Sequence, residues 1–119
     1  MWKGIPVIVI GREELKRMLQ EDDSVVLIEV LGPKAFKGYH LPGAVNVPLD
    51  EDFAGAVREV VPDKDRPVVV YSMNSGCQAS PKAARIMTGQ LGYKNVFDYE
   101  SGKEDWRAAG LPVAGMPAR

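Results

Sequence analysis

The chain has 119 residues, a length suited to one domain around one core, and its 45% hydrophobic and 26% charged residues give a folded globular composition rather than a disordered one. A net charge of -1 offers no electrostatic footprint for nucleic acid or an anionic membrane surface. One cysteine excludes an internal disulfide and suits a reducing compartment, and one cysteine with one histidine argues against a zinc site or any other metal centre.

In chain order, Met1-Trp2-Lys3-Gly4 leads into an apolar run from Ile5 to Ile10. That run is too short for a signal core or a membrane span, so a cytoplasmic chain is expected. Strands are predicted over residues 7–10, 25–30, 44–47, 68–71 and 95–99. The runs Val25-Val26-Leu27-Ile28 and Val68-Val69-Val70 are apolar on both faces, as in a sheet covered on both sides.

Helices are predicted between the strands. Residues 13–20 gather Leu15, Met18 and Leu19 on one face; residues 51–61 gather Phe53, Val57 and Val60; residues 81–91 gather Ala83, Ala84, Met87 and Leu91, with Gly92 as the stop. A last short helix starts at Ser101, where Ser101 and Glu104 have the spacing of a capping box, and ends at Gly110-Leu111-Pro112. Strands separated by helices predict a single α/β domain over 1–119, a sandwich around a mainly parallel sheet. Ligands of such sheets sit beyond the carboxyl ends of the strands.

The loop after the fourth strand lies at such an end. From Tyr71 through Ser72, Met73, Asn74, Ser75, Gly76, Cys77 and Gln78 to Ser80 it carries no formal charge. Small residues let its backbone curl so that N–H groups converge near a helix N-terminus, which favours an anion. An ordinary strand-to-helix turn, with Ser80 as N-cap and Pro81 in the first turn, explains the same residues. Cys77 reads either as a helix-N-terminal thiol of lowered pKa, a candidate nucleophile or resolving cysteine, or as a small inert residue packed under the loop.

Three stretches carry a resemblance to the rhodanese-like domain family over nearly the whole chain. The first is Val26-Leu27-Ile28-Glu29-Val30-Leu31 with Gly38-Tyr39-His40-Leu41-Pro42-Gly43-Ala44. The second is Pro67-Val68-Val69-Val70-Tyr71 with its loop. The third runs from Leu91-Gly92-Tyr93 through Gly102 and Trp106 to Leu111-Pro112-Val113. The resemblance implies a three-layer sandwich, with a mainly parallel five-stranded sheet and helices on both faces. It implies sulfur transfer through a persulfide on the first residue of a six-residue loop, without a cofactor. A small sulfur-donor anion or a persulfide would be the donor, and a thiol or a protein the acceptor.

That first position is Ser72, and a serine hydroxyl cannot hold a sulfane sulfur. Sulfurtransferase activity through it is expected to be absent. Two origins fit, a silent member of the family and an active-type loop with cysteine exchanged for serine. A non-catalytic binding or regulatory module, and a thiol switch at Cys77, are the competing functions. A cysteine-phosphatase reading fails because Gln78 stands where that chemistry needs an arginine. Among the rest, His40 and Trp106 read as structural, and Lys82 and Arg85 as a solvated helix face. Glu29 and Leu31 replace the aspartate and arginine usual in the family, so any ion pair there is expected to be lost.

Overall fold

The computed structural model describes residues 6–115; Met1 to Ile5, including the start of the first apolar run, lie outside them. Five strands alternate with five helices: β1 (Ile8–Val9), α1 (Arg12–Glu21), β2 (Val26–Glu29), α2 (Pro33–Gly38), β3 (Val45–Asn46), α3 (Phe53–Val60), β4 (Val68–Tyr71), α4 (Ala79–Gly89), β5 (Val96–Tyr99) and α5 (Gly102–Ala108). The sheet order is β1-β5-β4-β2-β3, and every pairing is parallel.

The apolar runs behave as their sequence requires. Every residue of β2 and β4 is buried, because helices cover both sheet faces. Strand alternation splits the core in two. Val26, Ile28, Val68, Val70 and Val96 face α3 and α4, meeting Phe53, Val57, Ala83, Ala84 and Met87. Leu27, Val69, Tyr71 and Tyr99 face the other way, toward Leu15 of α1 and Trp106 of α5. Trp106 anchors that layer: its Nε1–H donates to the Pro112 carbonyl (2.8 Å) and its ring meets Tyr99 edge-on. On the opposite layer the Tyr93 hydroxyl donates to the Val61 carbonyl (2.5 Å).

Several boundaries differ from the sequence pattern. Helix α2 is not predicted; it is one and a half turns long with no buried residue, so it carries no apolar stripe, and only Pro33 in its first turn marks it. Helix α3 starts at Phe53, since residues 51–52 form a turn. Helix α4 starts at Ala79 with Gln78 before it, so Ser80 is not its cap but a fully buried residue of the first turn. Its last residue is Gly89, three before Gly92; Gly92 adopts φ 78° where the chain turns back and Tyr93 N–H reaches the Met87 carbonyl. No capping box forms at Ser101, whose backbone is already helical.

Asp98, in the middle of β5, is 1% exposed, and its Oδ1 has no hydrogen-bond partner. Burial pushes its pKa up, against a smaller opposing pull from Ser80. The folded state therefore retains a proton that the unfolded chain releases near pH 4, and stability falls as pH rises from there through the elevated folded value. Asp98→Asn is expected to raise the melting temperature at pH 7 by a few degrees, about 1 kcal/mol, with the gain vanishing below pH 4. Thermal unfolding at both pH values checks it; equal gains at both would contradict the assignment.

Candidate active-site loop

Strand β4 ends at Tyr71 and α4 begins at Ala79, so residues 72–78 form the loop at a carboxyl edge of the sheet. Asn74 shapes it: its carbonyl accepts from Cys77 N–H (3.0 Å) and its side-chain Oδ1 from Gly76 N–H (3.1 Å). Among the described residues the N–H groups of Asn74, Ser75 and Gln78 donate to no protein acceptor, and those of Met73 and Ala79 face only the Cys77 sulfur. These free donors, beside the positive end of an 11-residue helix, are the means by which such a loop holds an anion.

The loop is held from below by α5. Lys103 N–H donates to the Ser72 carbonyl (3.0 Å) and Glu104 N–H to the Met73 carbonyl (2.9 Å). The Asn74 side-chain amide donates to Glu104 Oε1 (2.9 Å). The loop carbonyls thus satisfy the open N–H groups at the start of α5, and Glu104 is engaged by Asn74 rather than by Ser101. Gly102 makes the approach possible: it adopts φ 74°, and a Cβ there would stand 2.5 Å from the Met73 carbonyl carbon.

Beneath this contact lies a buried ion pair. Lys103 Nζ donates to Glu29 Oε2 (3.0 Å), and both side chains are fully buried. The same ammonium donates to the carbonyls of Ala35 (2.9 Å) and Tyr39 (2.7 Å) and lies 4.6 Å from the Tyr39 ring centre. The expectation that an ion pair at Glu29 is lost is therefore wrong. The cation comes from Lys103, 74 residues away in sequence, which the sequence reading did not single out. The available signal was Glu29 itself: a carboxylate inside the apolar strand Val26-Leu27-Ile28-Glu29-Val30 requires a buried partner.

Ser72 is fully buried, and its Oγ has no hydrogen-bond partner. Cys77 is half-buried and unpaired in any disulfide. Burial pushes its thiol pKa up, but the Ser72 hydroxyl and the N–H groups of Ala79 and Met73 outweigh this and leave the thiol more acidic than usual. The Ser72 hydroxyl, otherwise without a partner, faces the Cys77 sulfur. Met73 and Asn74 are half-buried, and Ser75, Gly76 and Gln78 are exposed at the loop's outer rim.

The other singled-out residues lie apart from this loop chemistry. His40 Nδ1 donates to the Phe36 carbonyl (2.7 Å), and its ring stacks on Phe36 at 3.7 Å. Lys82 and Arg85 are exposed; Arg85 lines a separate surface cleft with Val9, Thr88 and Asp98. Among the described residues no group of three or more His, Cys, Asp or Glu stands together to hold a metal, and no helix is long and apolar enough to cross a membrane.

Lys103→Met should cost about 3–5 kcal/mol, because it strands the Glu29 carboxylate in the core. Adding Glu29→Leu should recover most of that loss. Urea unfolding of the two variants checks this; a single variant as stable as the parent would contradict it.

The rhodanese-like domain model matches residues 11–109. An HTH-type transcriptional regulator of Mycobacterium tuberculosis is 34% identical over 110 residues, covering 92% of this chain and 46% of the regulator, so the chain spans less than half of that relative's length. A thiosulfate sulfurtransferase of Pseudomonas syringae is 35% identical over 86 residues, covering 72% of this chain and 76% of the enzyme. In three dimensions the chain superimposes on the crystal structure of an Anabaena protein with a TM-score of 0.79 at 22% identity, covering 92% of this chain and 94% of the other. The fold, the loop between β4 and α4 and these matches place the chain in the rhodanese-like domain family.

Proposed function

We propose that this is a sulfur-handling domain whose loop 72–78 receives sulfane sulfur from a small anionic donor or a persulfide and passes it to a thiol or protein acceptor. The observation that carries this reading is the set of loop N–H groups at the start of α4, free on Asn74, Ser75 and Gln78 and turned to the Cys77 sulfur on Met73 and Ala79. Such donors stabilise a thiolate, and equally the terminal sulfur of a persulfide. The similarity to a thiosulfate sulfurtransferase supports the same chemistry. The single cysteine suits a reducing compartment, and we place the domain in the cytoplasm.

Ser72 sets the limit of that activity. It occupies the position at which the family resemblance puts the nucleophilic cysteine, and a hydroxyl has neither the acidity nor the sulfur chemistry to carry a persulfide. Transfer through position 72 is absent in this chain. A second reading follows from the same residue: with the N–H groups intact and the nucleophile missing, the loop binds an anionic sulfur compound without turning it over.

Ser72→Cys restores the missing atom. Combined with Cys77→Ser, it confines the test to position 72. After exposure to thiosulfate or to glutathione persulfide, intact mass spectrometry should show the gain of one sulfur atom, reversed by reductant. A folded double variant that takes sulfur from neither donor would overturn the proposal.

A further inference from the structure

The one thiol of the chain stands in the same loop, at its far end. Cys77 is half-buried, directly before Gln78 and the first turn of α4, and the Asn74 turn fixes its backbone. Ser72 supplies an independent observation. Its hydroxyl is sealed from solvent without a hydrogen-bond partner, an unfavourable condition unless an acceptor arrives. The acceptor it bears upon is the Cys77 sulfur, on which the N–H groups of Met73 and Ala79 also converge. Neither N–H group has another protein acceptor among the described residues. A sulfur anion at Cys77 would therefore engage a hydroxyl and two amides that otherwise lack partners.

We propose that Cys77 is the sulfur acceptor of this chain and that Ser72 is its positioning hydrogen-bond donor. The inference rests on the sulfur-handling reading of the loop but moves the chemistry from position 72 to position 77. The donor class is a small-molecule persulfide, R–S–SH. The Cys77 thiolate attacks the outer sulfur of the donor, and a new S–S bond forms at Sγ. The donor's own S–S bond breaks, and its electron pair leaves with R–S⁻. The proton stays on the transferred sulfur and is then lost to solvent. Cys77 gains the oxidation equivalent that the donor gives up, so no external oxidant is needed. The resulting terminal sulfur anion accepts from the Ser72 hydroxyl, and a thiol acceptor removes the sulfur by the same exchange in reverse.

The test exposes the full chain, Ser72→Ala, Cys77→Ser and the double variant Ser72→Cys/Cys77→Ser to glutathione persulfide, with intact mass and peptide mapping. The full chain should gain one reductant-sensitive sulfur on the peptide holding Cys77, and Cys77→Ser should gain none. Ser72→Ala should slow the gain roughly tenfold, the worth of one hydrogen bond to a charged group, and should move the pH midpoint of Cys77 alkylation upward. A merely structural serine would leave that midpoint in place, and an unchanged midpoint overturns the role given to Ser72. If the full chain stays unmodified while iodoacetamide labels Cys77, and the double variant takes sulfur, the inference falls and the sulfur-handling reading stands. If neither protein takes sulfur, both fall.

Discussion

The buried Glu29–Lys103 pair is the constraint on which the loop 72–78 depends. Its two ends belong to different parts of the chain, β2 and the start of α5, and its ammonium also fastens the carbonyls of Ala35 and Tyr39 around α2. Such a pair adds little net stability, because desolvating both charges offsets most of their attraction. What it does is fix position. With the Lys103 side chain held at four points, counting the Tyr39 ring, its backbone N–H has one place to go, the Ser72 carbonyl. Loop carbonyls are thereby turned down into the protein toward α5, and several loop N–H groups are left without acceptors.

That division of labour explains the residue types of the loop. Carbonyls of Ser72 and Met73 serve structure, while N–H groups of Asn74, Ser75 and Gln78 are left without a protein acceptor among the described residues. Gly102 is required on the structural side, since a side chain there would collide with the Met73 backbone. Among the described residues no basic side chain takes part in the loop's hydrogen bonding, and Lys82 and Arg85 are exposed. The positive potential comes from backbone and helix, which suits a soft sulfur anion held at short range better than a multiply charged substrate gripped by arginine.

Much of this fold was legible because its strands are unusual. Val26-Leu27-Ile28 and Val68-Val69-Val70 lack polar alternation, which only a sheet covered on both faces permits, and the helices between them carry clear stripes. Helix α2 was not legible, because it buries nothing and so has no pattern. Ser80 and Ser101 look like caps locally, but Ser80 is drawn into the core beside Asp98, and the start of α5 finds its acceptors in the loop instead. The ion pair escaped for a third reason: Glu29 announced a need, but its partner lies 74 residues on, and only the tertiary fold brings them together. The loop's place was readable from the order of strand and helix along the chain. Its interplay of Ser72 with Cys77 was not, since that depends on how the backbone folds between them.

If the loop's backbone donors stabilise a sulfur anion, a cysteine placed at position 72 reports it most directly. The most direct measurement is the ultraviolet thiolate absorbance of the Ser72→Cys/Cys77→Ser protein as a function of pH, which needs no reagent to reach a buried sulfur. The new thiol is expected to ionise well below the ordinary value of about 8.5. A midpoint at or above that value in the folded protein would contradict it.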